Sequence, residues 1–334
     1  MSMRPPTRGL RRAIPTLVAI ALGLSLAGCS DAESAEKSDA STRVFSADNG
    51  DITIPADPDR IVATGYAVPV LIEADADLVG ISEWSRGVAM MTEADRATYE
   101  ELPKVAGEVA AETNYEAVAQ ADPDLIVIGV PQPALVDLDM EKLESIAPVV
   151  VIGPSMPDSW KTISEKQADA AGATDGFEQA RAAYLARAQE LEEKYADALA
   201  GVEFGHVGAY GDVAAGQFHR EFAGSWGTNV ATDIGVTYYG GVAKKGGGSE
   251  DVSEYPAIEE LPESLGDADA ITYSLDISGE VSEAVQYVLD SKLWKNLPAV
   301  RAGNVFPTQY TEAATYTSAL MTLDSLDAQL EKLK

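Results

Sequence analysis

Residues 122–128 read Asp-Pro-Asp-Leu-Ile-Val-Ile, a turn signal followed directly by an apolar run. The run at residues 125–128 has no polar residue at alternate positions, so neither of its faces is suited to water. Strands of this kind are typical of parallel sheets that helices cover on both faces. The stretch therefore predicts a buried strand inside an α/β domain.

Similar short apolar runs occur on both sides of this stretch, with helical patterns between them. They fall into two sets, at residues 61–63, 78–81, 125–128 and 148–152, and at residues 202–210, 270–273 and 305–306. Alternating strands and helices are typical of α/β proteins with mostly parallel sheets. We therefore expect two α/β lobes, an N-terminal lobe at residues 44–157 and a C-terminal lobe at residues 200–334.

A helical region at residues 158–199 separates the two sets of strands. Its second part has an apolar stripe with spacings of three and four residues, formed by Phe177, Ala180, Tyr184, Ala188, Leu191, Tyr195 and Leu199. Such a stripe is typical of a helix that packs on one side. One long α-helix is thus expected to join the lobes. Because a single helical crossing bends less than two or three extended strands, the lobes should move little relative to each other.

Residues 1–28 have the features of a secretory signal peptide. Four arginines and no acidic residue precede an apolar run that ends at Leu26-Ala27-Gly28-Cys29. The run is shorter than the roughly 20 residues that span a bilayer. The small residues before Cys29 indicate a lipoprotein cleavage site, so we predict that Cys29 is diacylated. The lipid would anchor an exported protein to the outer face of the cytoplasmic membrane.

Two further features concern export. The pair Arg11-Arg12 leaves the general secretory and twin-arginine routes both open. Residues 29–43 contain no large apolar side chain, and such a segment buries too little surface to fold. We predict that this segment is a disordered tether between the lipid and the folded domain.

The sequence is strongly acidic, with 54 Asp and Glu residues against 24 Lys and Arg residues and a formal net charge of −30. Nucleic acid and anionic lipid surfaces are therefore not expected as partners. The acidic residues are scattered, which is typical of a solvated, salt-tolerant surface. The only cysteine is Cys29, so the chain forms no internal disulfide and its fold depends on its apolar core. We expect a monomer.

Motifs of common enzyme classes fail at a required position. Residues 223–227, Ala-Gly-Ser-Trp-Gly, lack the first glycine of a nucleophile elbow. In the glycine-rich loop at residues 240–248, Gly241 to Gly246 is followed by Gly247-Gly248 and not by the lysine and Ser or Thr that a phosphate-binding loop requires. We therefore predict that the protein is not an enzyme.

The sequence also gives little support for a metal site. The only histidines are His206, in an apolar strand, and His219, in a polar segment that could face a cleft. Two imidazoles without a free thiol do not favour a zinc or manganese site. No calcium-loop spacing is present. We expect no metal ligands and no cofactor of the protein's own.

A faint internal repeat relates the two halves of the chain. Glu116 and Glu259 each begin a short helix that leads through an aspartate-containing turn into a buried strand. A carboxylate in the first turn of a helix is favoured by the helix dipole. Each glutamate alone therefore has a structural explanation, whereas the matched pair also suggests a shared role.

The order of several motifs resembles the substrate-binding lipoproteins of iron–siderophore, haem and cobalamin ABC importers. The first half contains Pro58-Asp59-Arg60-Ile61-Val62-Ala63, Ala76-Asp77-Leu78-Val79-Gly80-Ile81, Leu102-Pro103-Lys104-Val105-Ala106-Gly107, Asn114-Tyr115-Glu116-Ala117-Val118 and Asp122-Pro123-Asp124-Leu125-Ile126-Val127. The second half contains matching segments at residues 257–261, 267–269, 294–297, 303–306 and 316–324. The resemblance covers the whole mature domain and is weakest at residues 211–248.

This resemblance implies two α/β lobes joined by one long helix, with the ligand in the cleft between them. It also implies one surface glutamate per lobe that docks onto arginines of the membrane permease. The matching residues are Glu116 and Glu259, and Glu260 takes the second position if the register slips by one residue.

Ligand contacts in an open α/β lobe come from the ends of its strands. The residues selected on this basis are Tyr66, Trp84, Arg86 and Gln132 in the first lobe and Tyr210, Phe218, Arg220, Trp226, Tyr273 and Tyr310 in the second. Each aromatic residue could instead pack in the core. Together with the two arginines, they predict an aromatic, hydrogen-bonding pocket. Its rings would cover the apolar surface of a ferric siderophore, and its arginines would meet the chelating oxygens.

We therefore hypothesise that the protein captures a ferric siderophore as transported ligand and passes it to an ABC permease. The siderophore itself would wrap the iron, so no protein side chain needs to bind the metal. The same scaffold binding haem or a corrinoid is an alternative, and haem would require an axial His or Tyr. A surface-anchored enzyme or adhesion module is a third possibility.

Overall fold

The computed structural model describes residues 41–333. The predicted signal peptide, Cys29 and the predicted tether up to residue 40 lie outside the described residues. Strand β1 (Thr42–Ala47) includes the last two residues of the predicted tether. Its Arg43 forms a salt bridge with Asp169, with 3.1 Å between Nη1 and Oδ1. The ion pair connects Arg43, which the sequence assigns to the tether, to helix residue Asp169.

Strand β2 (Gly50–Pro55) pairs with β1 as an antiparallel hairpin. The two residues of its turn contact the last strand of the first-lobe sheet. The Asp48 backbone N–H donates to the Val151 carbonyl at 2.9 Å. The Asn49 side chain donates to the Val149 carbonyl at 3.0 Å and accepts from the Val151 N–H at 2.9 Å. The hairpin is thus fixed to that sheet by three hydrogen bonds.

The first lobe contains a wholly parallel sheet of five strands. These are β3 (Ile61–Gly65), β4 (Leu78–Ser82), β5 (Lys104–Ala106), β6 (Leu125–Gly129) and β7 (Val149–Val151). Their order is β5-β4-β3-β6-β7, and every residue of β6 is buried. The helices of this lobe are α1 (Ala67–Glu73), α2 (Glu93–Glu101), α3 (Tyr115–Gln120) and α4 (Met140–Glu144). The four strands predicted here are present, and β5 is an additional short one.

Two helices, α5 (Trp160–Ala170) and α6 (Thr174–Leu199), lead from the first lobe to the second. With 26 residues, α6 is roughly 39 Å long at 1.5 Å per residue. Most of its predicted apolar stripe is buried, which confirms the long helix. Within residues 41–333, no helix has both the length and the apolar character that a membrane crossing requires.

The second lobe contains a mixed sheet of six strands. These are β8 (Glu203–Val207), β9 (Arg220–Glu221), β10 (Thr237–Tyr238), β11 (Ser253–Glu254), β12 (Ala270–Ser274) and β13 (Val305–Thr308). The order is β11-β9-β8-β12-β13, and β10 also pairs with β8. Strand β9 pairs antiparallel with β8 and β11, whereas the other pairings are parallel.

The helices of the second lobe are α7 (Asn229–Thr232), α8 (Leu261–Leu265), α9 (Glu283–Asp290), α10 (Pro298–Ala302) and α11 (Tyr316–Leu330). Tyr316, the first residue of α11, lies among three rings of the linking helices. Its ring centre is 5.2 Å from that of Trp160, 5.7 Å from that of Phe177 and 5.4 Å from that of Tyr184. Burial of these rings joins α11 to both linking helices.

Candidate functional site

Tyr66 lies at the carboxyl end of β3, directly before α1. Gly65 has a φ of +59°, and its N–H donates to Ser82 Oγ at 3.0 Å. The Tyr66 N–H donates to the Gly129 carbonyl at 3.0 Å, and a Cβ on Gly129 would be 2.3 Å from the Ala67 nitrogen. Glycine at both positions thus permits the sharp turn. The turn places Tyr66 at the sheet edge where open α/β sheets bind ligands.

Trp84 and Arg86 follow β4 at the same edge. Trp84 is buried, and its backbone N–H donates to Tyr99 Oη at 2.9 Å. Its ring meets that of Tyr66 edge-on, with 4.9 Å between ring centres. Arg86 is exposed. Its guanidinium carbon is 4.0 Å from the centre of the Trp84 ring and 4.7 Å from that of Tyr66. Attraction between the cation and the ring faces holds Arg86 over both rings.

Trp226 brings a third ring from the second lobe. Its ring is stacked on that of Tyr66, with 5.9 Å between centres and an angle of 12° between planes. We call Tyr66, Trp84 and Trp226 the aromatic cluster. Because its members come from both lobes, the cluster crosses the cleft between them. Large aromatic surfaces beside a guanidinium suit a ligand that is part apolar and part oxygen-rich.

The turn that carries Trp226 is held by Glu221, a buried carboxylate in β9. Ser225 Oγ donates to its Oε1 at 2.7 Å, and the Gly227 N–H donates to its Oε2 at 3.2 Å. His206 Nε2 lies 3.0 Å from the same Oε2. A Cβ on Gly227 would be 2.1 Å from His206 Nε2 and 2.3 Å from Glu221 Oε2. The close approach therefore requires glycine at this position.

The environment of Glu221 favours its ionised form. Burial alone raises the pKa of this carboxyl, but the hydrogen bond from His206 and the electrostatic interactions with the nearby His219 and His206 side chains lower it to about 2. The Ser225 hydroxyl adds to the lowering. A carboxylate that accepts several hydrogen bonds in the core is a strong structural element. Here it fixes the backbone on both sides of Trp226.

Two polar residues of the second lobe face the aromatic cluster. Tyr210 was predicted and is half exposed, and its hydroxyl donates to Glu312 Oε1. Glu312 was not predicted. It follows β13 by four residues, so the strand-end criterion that selected Tyr310 also applies to it. Burial raises the pKa of Glu312, and the nearby charge of Arg86 opposes this rise.

Tyr66 and Trp226 border two cavities. The larger has a volume of about 940 Å³ and is also lined by Gln132, by residues 153–157 and by residues 247–250. The smaller has a volume of about 50 Å³, and its other walls include Trp84, Arg86, Tyr210 and Glu312. Ligand sites commonly have volumes of roughly 300–1,000 Å³, so the larger cavity is of suitable size. The segments at residues 153–157 and 247–250 were missed because they contain mostly small residues and prolines.

Phe218 and Arg220 are fully buried, which corrects their predicted place on the cleft wall. Phe218 packs in the second-lobe core with Val207 and Leu261. The Arg220 guanidinium donates to the carbonyl oxygens of His206, Glu221 and Tyr239. The cause is β9, which pairs with β8 and turns this segment into the sheet. The sequence suggests a loop here because β9 is only two residues long.

Tyr273 and Tyr310 also lie away from the aromatic cluster. Tyr273 is inside β12 rather than after it, and its ring contacts that of Trp294 at 6.5 Å. Tyr310 has a φ of +60°, and its carbonyl accepts a hydrogen bond from Thr322 Oγ1 at 2.5 Å. Neither of these described residues lines either cavity. Their positions do not support the predicted ligand contacts.

The two histidines are core residues. His206 is fully buried, and its Nδ1 lies 2.7 Å from Thr272 Oγ1. His219 was expected in a polar segment that could face the cleft. It is 4% exposed, and its ring is stacked on that of Tyr255 with 4.7 Å between centres. Burial lowers the pKa of His219. In residues 41–333, no group of three or more His, Cys, Asp or Glu side chains is arranged to hold a metal ion.

The two proposed docking glutamates are both exposed. Glu116 lies in the first turn of α3, whose preceding residue Asn114 accepts a hydrogen bond from the Ala117 N–H at 3.1 Å. Glu259 lies in a single 3₁₀ turn before α8. Its neighbour Glu260 accepts a hydrogen bond from the Ala257 N–H at 3.4 Å. Because Glu260 is engaged in its own turn, Glu259 is the better candidate of the two.

Comparison with known proteins gives consistent results. A family model described as periplasmic binding protein matches residues 61–223. The iron(3+)-hydroxamate-binding proteins YxeB and FhuD of Bacillus subtilis (strain 168) are each 26% identical to the chain. YxeB aligns over 88% of this chain and 85% of its own length, and FhuD over 86% and 87%.

A solved structure agrees with this family. The siderophore periplasmic binding protein from the fuscachelin gene cluster of Thermobifida fusca is 31% identical to the chain, with a TM-score of 0.65. The match covers 84% of this chain and 98% of that protein. These relatives are binding proteins and not enzymes, in agreement with the prediction from the failed enzyme motifs.

Proposed function

This chain belongs to the periplasmic binding protein family, and we propose that it captures a ferric siderophore in the interlobe cleft and delivers it to an ABC permease for iron uptake. The protein would be exported and anchored by lipid on Cys29 to the outer face of the cytoplasmic membrane. The names of its relatives, iron(3+)-hydroxamate-binding and siderophore-binding proteins, support the choice of ligand.

The aromatic cluster is the observation that carries this proposal. It supplies rings from both lobes, with the Arg86 guanidinium 4.0 Å from the Trp84 ring centre, beside a cavity of about 940 Å³. A siderophore encloses the ferric ion and presents alkyl or aromatic arms together with chelating oxygens. The rings bury the arms, and the guanidinium donates hydrogen bonds to the oxygens. No protein ligand to the iron is needed.

We expect ferric siderophores to quench the intrinsic tryptophan fluorescence at sub-micromolar concentration, because Trp84 and Trp226 line the cleft. The metal-free chelator should bind more weakly, since it is not preorganised for the cleft. The measurement is a titration with a panel of ferric siderophores, haem and cobalamin. If haem or cobalamin saturates the protein and no ferric siderophore changes its fluorescence, this proposal is wrong.

Tryptophan substitutions test whether the ligand in the fluorescence titration binds at the aromatic cluster. Trp84→Ala and Trp226→Ala should each weaken binding by about 1–3 kcal/mol, the scale of one large buried side chain, or roughly 5–150-fold. The matched control is Trp294→Phe, because Trp294 is buried in the second-lobe core beside Tyr273. This control should keep the affinity of the unmodified protein. Circular dichroism shows whether each variant is folded.

The permease contact is tested separately. Glu116→Ala and Glu259→Ala should each impair uptake of the ferric siderophore and leave its affinity in solution within about twofold, since exposed charges mainly govern association with a partner. Glu260→Ala is the matched control and should retain uptake. Uptake by cells and binding by purified protein are the two measurements. Lost binding in the purified Glu116 or Glu259 variants would show that these residues support the cleft instead.

A further inference from the structure

Glu312 places a carboxyl group in the part of the cleft where the aromatic cluster lies. Its segment connects β13 to α11, and its side chain lines the smaller cavity together with the aromatic cluster and Arg86. The Tyr210 hydroxyl donates to Glu312 Oε1, which fixes the carboxylate toward the cavity. Among the ion pairs of residues 41–333, none joins Arg86 to Glu312 within 4.0 Å. Both charges are therefore available to a ligand.

The charges along the whole cleft give no positive excess. Besides Arg86 and Glu312, the described residues that line the two cavities include Lys166, Asp48 and Glu250 as charged groups. Lys166 Nζ lies 3.8 Å from Asp48 Oδ1, so its charge is already balanced. The sequence as a whole has a formal net charge of −30. Both the site and its surroundings are therefore unfavourable to a highly charged anion.

Ferric siderophores differ in charge according to their chelating groups. Three hydroxamates each contribute one negative charge, so their complex with Fe³⁺ is neutral before any charges on the arms are added. Three catecholates each contribute two, so their ferric complex has a charge of −3. Specificity often depends on an interaction that penalises the wrong ligand, and an ionised carboxylate in the cavity is such an interaction for the ferric tricatecholate.

We propose that Glu312 makes the cleft select ferric chelates of zero or positive net charge, so that ferric trihydroxamates bind and ferric tricatecholates are rejected. This inference rests on the proposed function and defines its substrate class. Arg86 provides hydrogen bonds to the chelating oxygens, and Glu312 offsets its charge. A chelate with a protonated amine on one arm has a favourable partner in Glu312.

The test compares a neutral or cationic ferric trihydroxamate, such as ferrioxamine, with a ferric tricatecholate by fluorescence titration of the purified protein. The unmodified protein should prefer the trihydroxamate. Glu312→Gln keeps an oxygen acceptor for Tyr210 and removes the charge. We expect this variant to bind the tricatecholate at least about tenfold more tightly, with a change below about threefold for a neutral trihydroxamate, because only a charged ligand senses the lost charge at close range.

Glu203→Gln is the matched control, because Glu203 is exposed at the start of β8 and lines neither cavity. It should change neither affinity by more than about twofold, since exposed charges are screened by solvent and salt. Equal or tighter binding of the tricatecholate by the unmodified protein would overturn the inference, as would equal changes for both chelates in Glu312→Gln. If no ferric chelate of any class binds, the proposed function fails and the inference fails with it. Binding of the tricatecholate alone would overturn only the inference.

Discussion

Replacing Glu221 with alanine is expected to lower the free energy of unfolding by about 3–5 kcal/mol, because several buried groups lose their hydrogen-bonding partner when this carboxylate is removed. The carboxylate is 2% exposed and bonds to His206, Ser225 and Gly227. Without it, the Ser225 hydroxyl and the Gly227 N–H lose their acceptor in the core. Urea denaturation followed by circular dichroism measures the change.

The matched control for that experiment is Glu203→Ala. Glu203 is an exposed glutamate at the start of β8, and its replacement should change the free energy of unfolding by no more than about 0.5 kcal/mol.

The stability that Glu221 provides should also depend on pH. Its pKa in the folded protein, about 2, is below the value of about 4.3 for an unfolded glutamate. The contribution is thus present above pH 4.3 and is lost as the pH falls toward 2.

The buried His219 acts in the same direction at higher pH. Burial lowers its pKa, so the unfolded chain binds a proton more readily than the folded protein below pH 6.5, and stability falls on acidification. Glu221→Ala should reduce the loss of stability below pH 4.3 by the part that this carboxylate contributes, whereas Asp139, Asp276 and Asp327, whose pKa values are also lowered, keep their own contributions. A Glu221→Ala variant that is destabilised by less than about 1 kcal/mol would contradict the role given to this carboxylate.

Replacing Cys29 with alanine is expected to abolish incorporation of labelled palmitate completely, because Cys29 is the only cysteine of the chain. Two acyl chains give stable membrane anchoring, whereas a protein without them has no such attachment. Ser30→Ala is the matched control and should keep the label. Palmitate in the Cys29→Ala variant would contradict the lipoprotein assignment.

The cellular location of the unlipidated protein is measured with a second variant. In Cys29→Ala the signal peptide would stay uncleaved and would itself hold the chain at the membrane. In the second variant, a signal that the general signal peptidase cleaves replaces residues 1–28, and residue 29 is alanine. This protein should be found in the soluble fraction, with the circular dichroism spectrum of the lipidated form. Recovery with membranes would show that another part of the chain binds them.

The parts of the fold that the sequence predicts well are those whose burial is determined by short apolar runs. The run at residues 125–128 forms the interior strand β6, all of whose residues are buried. The stripe at Phe177, Tyr184, Leu191 and Tyr195 is the buried face of α6. In both cases the pattern of apolar residues indicates which sides of the strand or helix face the core.

The cleft could be predicted in part. Tyr66, Trp84 and Arg86 follow strands in the sequence, and the structure places them at one cavity because the carboxyl ends of parallel strands meet at one edge. Phe218 and Arg220 were misplaced because β9 exists only through its pairing with β8. A two-residue strand has no periodicity of its own. Its inward-facing arginine donates hydrogen bonds to three carbonyl groups, and only the folded chain brings these together.

The hairpin turn at Asp48 and Asn49 has a consequence for the protein at high surface density. Strand β7 is an edge strand, and its outer hydrogen-bonding groups would otherwise be open to a strand of another molecule. The turn occupies the Val149 carbonyl and both backbone groups of Val151. Lipid anchoring would concentrate many copies in one plane, where edge-to-edge pairing between neighbours is most favoured. The occupied edge thus protects crowded molecules from aggregation by strand addition.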